Sequence, residues 1–165
     1  MDNEEKTNKE WLTEFAKFLL LLVVSFIVFK FILMPFRVCE TSMYPTLHDG
    51  DRIFLNGLDR DVKKNDIIIF KENIDGENIA LIKRVAATEG DKIKVTDGNL
   101  YINGKKTATC DGDEEYAVPK GKCYVLGDNR KVSRDSREFG LIDNSSIKGT
   151  VLIRIWPIYK IGGVK

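Results

Sequence analysis

The sequence predicts a mainly β protein: a single N-terminal transmembrane helix followed by a partly open β-barrel or paired-sheet domain. Three observations predict it. A nineteen-residue apolar run near the start carries a single charge. Short segments rich in β-branched residues follow it. Glycine-containing turns separate those segments, and no helical period of useful length appears after the run.

The apolar run, residues 18–36, reads FLLLLVVSFIVFKFILMPF. As a helix at about 1.5 Å per residue it would extend about 28 Å, close to the hydrocarbon thickness of a bilayer. The expected organisation is a cytoplasmic tail over 1–14, an anchor helix over 15–36 and an extramembrane β-rich domain over 37–165. Lys30 lies near the end of the run, where its stem can snorkel to the headgroups. Pro35 is expected to close the helix. A cleaved secretory signal needs a small-residue exit, whereas this run leaves through Met34-Pro35-Phe36-Arg37. Phe36-Arg37-Val38 before Cys39 does not fit a lipoprotein signal, and a buried core helix would show a polar face. Lys6, Lys9 and Lys17 before the run, against Arg37 and Arg52 after it, favour a cytoplasmic N-terminus by a small margin.

Composition excludes several function classes. Lys+Arg 26 against Asp+Glu 25 leaves a net charge of +1, so no nucleic acid partner is expected. The three cysteines, Cys39, Cys110 and Cys123, form no CxxC pair, and the only histidine is His48. Neither a metal nor another cofactor is expected. Cys110 and Cys123 are either two free thiols or, in an oxidising compartment, a pair.

The strands expected after the run are Arg52–Asn56, Asp66–Phe70, Ile79–Val85, Lys92–Val95, Leu100–Asn103, Lys122–Leu126 and Gly149–Trp156. Turn dipeptides separate them: Asp49-Gly50, Asp75-Gly76, Glu89-Gly90, Asp97-Gly98, Asn103-Gly104 and Gly127-Asp128.

Three segments carry chemistry. Ser42 precedes Met43-Tyr44-Pro45, a turn that would expose a hydroxyl and a backbone N–H, although a surface serine has the same appearance. In Ile79-Ala80-Leu81-Ile82-Lys83-Arg84-Val85, a period of two places Lys83 on one face with Ile79, Leu81 and Val85. Burial there lowers a lysine pKa, and a neutral amine beside a hydroxyl is a competent general base. An edge lysine bent out to water is the plainer alternative. The third segment, Gly127 to Arg137, crowds Asp128, Ser133, Asp135 and Arg137 into one loop. Asp135 is expected to pair with Arg137 and with Arg84.

Together with the N-terminal run, SMYPTLHDGD, DRIFLNG, KRVAATEGD, LYINGK and GDNRKVSRDSREFG stand in one order across most of residues 15–158. In that order they resemble the bacterial type I signal peptidases, in the small single-anchor form typical of Gram-positive bacteria. The resemblance implies a membrane-bound serine endopeptidase that removes signal peptides from exported preproteins. Ser42 would be the nucleophile and Lys83 the general base. Ser133 would orient the lysine amine, and Asp128, Asp135, Arg137 and Arg84 would support it. Met43 would contact substrate. It further implies a catalytic domain on the extracytoplasmic side and substrates of the Ala-x-Ala type, the bilayer being the second partner.

Two departures stand out. Glu40 occupies the position two before the nucleophile, where the family has glycine or serine, and Ala86-Ala87-Thr88-Glu89 replaces a Gly- and Pro-containing loop. Glu40 leaves one alternative reading: a non-catalytic membrane chaperone for surface-protein or pilus assembly on a degenerate signal-peptidase fold. A self-cleaving repressor would also use serine and lysine, but the anchor argues against it. His48 is a rival base for Ser42.

Overall fold

The computed structural model describes residues 2–29, 33–58, 61–74 and 76–164. It is mainly β, and all of its strands pair antiparallel. A long helix, α1 (Asp2–Ile27), leads into β1 (Leu33–Arg37), β2 (Arg52–Asn56), β3 (Ile67–Ile74) and β4 (Glu77–Ala87). Then come β5 (Lys92–Thr96), β6 (Asn99–Ile102), β7 (Lys105–Thr109), β8 (Glu114–Ala117) and β9 (Lys122–Leu126). A one-turn helix α2 (Ser136–Phe139), β10 (Ile142–Asp143) and β11 (Ile147–Trp156) follow, with short 3-10 turns at Asn144–Ser146 and Ile158–Lys160.

Two open sheets result, one in the order β1-β2-β11-β3-β4-β9-β10 and one in the order β7-β6-β5-β8. The arrangement is the paired-sheet form of the expectation, with no closed barrel. All seven expected strands are present, with ends shifted by a few residues.

Strand β3 explains why the larger sheet has two buried faces. Ile67 and Ile69 join Val38, Met43, Leu47 and Ile53 on one side, while Ile68 and Phe70 join Val85, Val125 and Ile147 on the other. A strand covered on both faces reads as a continuous apolar run rather than an alternation. In contrast β5 alternates, burying Ile93 and Val95 and exposing Lys92 and Lys94.

The N-terminal expectation needs correction. Helix α1 begins at Asp2, and Leu33–Arg37, the end of the presumed anchor with the first residue after it, form a strand paired with β2. Pro35 therefore does not close a helix; it sits opposite Phe54 in β1, an edge strand, where a missing N–H costs no ladder bond. Among the described residues no helix is long and apolar enough to cross a membrane. Glu10, Glu14 and Lys17 place charges within α1, and the uncharged stretch Phe18–Ile27, whose one polar residue is Ser25, spans about 15 Å. Lys30 and Asp75 lie outside the described residues.

Candidate active site

The loop between β1 and β2 is held closed by its own backbone. Val38 N–H donates to the Asp51 carbonyl (2.8 Å), and Gly50 N–H returns a bond to the Val38 carbonyl (2.9 Å). Asp51 accepts from His48 N–H (3.0 Å) and from Arg154 of β11 (3.1 Å), which also donates to the Thr46 carbonyl. Met43 and Leu47 plug the loop into the core. Ser42 is carried on this braced turn.

Strand β4 supplies the amine. Lys83 is 2 % exposed, and its Nζ lies 2.8 Å from Ser42 Oγ. Burial pushes the Lys83 ammonium below its ordinary value of 10.5; the charges of Asp135 and Glu40 oppose that shift without cancelling it. The neutral amine is thereby favoured at the place where a hydroxyl needs an acceptor.

The loop after β9 forms the floor. Asn129 N–H donates to the Ser42 carbonyl (2.9 Å), and Asn129 Nδ2 donates to the Thr41 carbonyl (3.2 Å). A Cβ on Gly127 would overlap the Ser133 side chain and would stand 2.7 Å from the Ser42 carbonyl, so only glycine fits. Asp135, fully buried, accepts from Gly127 N–H (2.9 Å) and pairs with Arg137 through Nε (2.8 Å) and Nη2 (3.0 Å). The hydrogen bond to Asp135 raises the Arg137 pKa, and burial partly offsets the rise. Arg137 also donates to the Arg130 and Ser133 carbonyls, clamping the loop.

The expected Asp135–Arg84 pair is absent, because Arg84 is taken by Asp128: Nε to Oδ1 at 2.8 Å and Nη2 to Oδ2 at 2.7 Å. Thr46 Oγ1 donates to the same carboxylate. Burial alone would raise the Asp128 pKa, but the bonds from Arg84 and Thr46 outweigh it and hold the carboxyl below its ordinary value of 3.8. Asp128 thus ties β4 to the Ser42 turn.

Other expectations fall differently. Ser133 is buried, yet its Oγ has no hydrogen-bond partner, the Lys83 amine included. Met43 packs into the core with Val38 and Leu47 and does not line the cleft beside Ser42. His48 stacks edge-on against Tyr44 (5.1 Å), and its Nδ1 is unpartnered. Cys39, Cys110 and Cys123 are free thiols in this structure.

The cleft itself, about 180 Å³, runs past Ser42 and Lys83 between Phe36, Cys39 and Glu40 on one wall and Ile79–Ile82 of β4 on the other. Sequence reasoning named Glu40 but missed Phe36 and Cys39; Phe36 was hidden in the apolar run. Strand β4 pairs with β3 along Glu77–Arg84 and meets β9 only from Arg84 onward. Among the described residues its second edge is therefore unpaired along the cleft.

Comparison with known proteins places this geometry. The family described as "Signal peptidase, peptidase S26" matches residues 9–117 and 106–156. Signal peptidase IB of Staphylococcus aureus is 36% identical over 181 residues, covering 90% of this chain and 89% of the relative. Signal peptidase I of Bacillus licheniformis is 37% identical over 186 residues, covering 98% of both. A crystal structure of a signal peptidase I from Enterococcus faecalis is 29% identical, covers 54% of this chain and 95% of its own, and has a TM-score of 0.42. The chain belongs to the bacterial type I signal peptidases.

Proposed function

We propose that this protein is a membrane-bound serine endopeptidase that cleaves N-terminal signal peptides from exported preproteins, with Ser42 as nucleophile and Lys83 as general base. The observation that carries the reading is the buried amine 2.8 Å from the Ser42 hydroxyl. A buried ammonium costs several kcal/mol, and folding gains nothing from placing one there. A binding protein on a degenerate fold would have no use for that arrangement, so the chaperone reading is the weaker one.

In this mechanism neutral Lys83 accepts the Ser42 proton as Oγ attacks the scissile carbonyl. The Ser42 backbone N–H, which bonds no described group, donates to the oxyanion. Protonated Lys83 then gives its proton to the leaving amine. Water activated by Lys83 hydrolyses the acyl-enzyme on Ser42 and releases the product. Asp128, Asp135, Arg84 and Arg137 hold the two halves of the site in register.

Substrate enters as an extended segment. The unpaired edge of β4 offers backbone groups to such a strand. The cleft, small beside typical ligand pockets of about 300–1,000 Å³, suits small residues of the Ala-x-Ala type. We place the membrane anchor on the N-terminal apolar run, of which α1 supplies Phe18–Ile27 with side chains exposed all round, a pattern suited to lipid. Ser42 lies five residues beyond β1, within about 18 Å of its end. A substrate tethered by its own apolar segment would present its bond near that height. The N-terminus is placed in the cytoplasm and the catalytic domain on the outer face.

The test is to incubate the detergent-solubilised protein with a preprotein carrying an Ala-x-Ala site, beside Ser42→Ala. The expected product has a new N-terminus just after the second alanine, and Ser42→Ala yields none. An intact preprotein held in a complex by the wild type would favour the chaperone.

A further inference from the structure

We propose that Glu40 is a specificity-determining residue, whose carboxylate at the wall of the Ser42 cleft selects a cationic over an acidic substrate side chain within three residues of the scissile bond. The inference rests on the catalytic reading above and adds to it a charge preference.

Placement is the first support. Among the described residues Glu40 is the one carboxylate lining the cleft; the remaining wall is apolar apart from Cys39 and the Ser42–Lys83 pair. Charge-bearing contacts there with a passing peptide therefore converge on Glu40.

Availability is the second. Glu40 is exposed, and its backbone N–H is engaged with Asp49 Oδ1 at 3.1 Å. Among the described residues its carboxylate has no ion pair or hydrogen bond. Cations elsewhere around the site spend their charges internally: Arg84 on Asp128, Arg137 on Asp135 and Arg154 on Asp51. A carboxylate without a partner beside a peptide cleft is available to the peptide.

Backbone conformation is the third. Glu40 has φ 74°, in the left-handed region that glycine enters without cost and a side-chain-bearing residue enters under strain. The exposed side chain buries nothing that would compensate. Strain held where the fold does not profit is commonly strain held for function. The charge also reaches the reacting pair, because the Glu40 carboxylate counteracts the effect of burial on Lys83.

The experiment uses the full chain in detergent and peptides bearing one cleavage site. Each peptide carries a single Lys, Gln or Glu at one of the three residues on either side of the cut. At one position the wild type should cleave the Lys peptide about threefold to fivefold faster than the Glu peptide in kcat/KM, the range of an exposed ion pair. That ratio should shrink toward one in about 0.5 M salt. Glu40→Gln should bring it to about one, and Glu40→Lys should invert it. Glu40→Gly, free of backbone strain, provides a second neutral variant should the Gln form fold poorly. Equal Lys-to-Glu ratios in the wild type and every variant, at all positions, would overturn the proposal. Cleavage by Ser42→Ala at the wild-type rate, or no cleavage by the wild type, overturns the catalytic reading and this proposal with it; an unchanged ratio in an active, Ser42-dependent enzyme overturns this proposal alone.

Discussion

Lys83 Nζ donates to Ser42 Oγ across 2.8 Å, although the two residues are 41 apart in sequence and sit on different elements. The amine comes from the middle of β4, and the hydroxyl from a turn braced by Asp51, Arg154 and Asn129. Burial lowers the lysine pKa, and the turn holds the hydroxyl within reach of the amine.

The pH profile follows from that burial. The Lys83 pKa is lowered, so kcat/KM should rise with pH and reach half its plateau below 10.5. Lys83→Met should cleave no preprotein while melting at the same temperature or higher, because a desolvated amine is replaced by an apolar chain of similar length. Normal cleavage by that variant would remove Lys83 from the mechanism.

Gly127 has no room for a methyl group. Gly127→Ala should push the Ser133 side chain or the Ser42 carbonyl aside and lower kcat/KM by about 10²-fold through misplaced chemistry. Circular dichroism should show the sheets retained. Full activity would mean that the Ser42 turn tolerates displacement.

Asp135 is the most connected carboxylate of the loop. Asp135→Ala removes the acceptor of Gly127 N–H and the partner of a largely buried Arg137, so about 3–5 kcal/mol of stability should be lost. Urea unfolding measures this directly, and a loss below about 1 kcal/mol would rule out the clamp.

Acid should loosen the Arg84–Asp128 tie. Because the Asp128 pKa is depressed in the folded state, its contribution is complete above the ordinary carboxylate value of 3.8 and is lost as pH falls through the lower folded value. Asp128→Asn should reduce stability at neutral pH and flatten the acid-side decline. Parallel wild-type and variant curves below pH 4 would contradict the assignment.

Ser133 separates stability from function. Its hydroxyl is buried and unpartnered, so Ser133→Ala should leave stability unchanged or raise it by about 1 kcal/mol. If the hydroxyl orients the amine during turnover, kcat/KM should still fall by at least about tenfold. Unaltered activity would end that role.

Which strands the sequence revealed has a simple pattern. The seven expected strands are all interior to their sheets. The four unforeseen ones, β1, β7, β8 and β10, are the four edges. Interior strands are covered by neighbours and faces, so they need β-branched and apolar residues and advertise themselves. Edge strands such as Lys105–Thr109 and Glu114–Ala117 are polar, since exposed edges must resist pairing with other chains. Strand β1 was masked for another reason: its residues Leu33 to Phe36 continue an apolar run that reads as helix.

The amino-acid order alone determined the β class, the apolar start, and the presence of a serine, a lysine on an apolar face and a crowded polar loop. Those are local properties, written in alternation and turn chemistry. Only the tertiary structure decided that Arg84 joins Asp128 rather than Asp135, that Met43 faces the core, and that Glu40 stands free in the cleft. Each of those outcomes depends on which groups compete for one partner in three dimensions, and spacing along a chain does not record that competition.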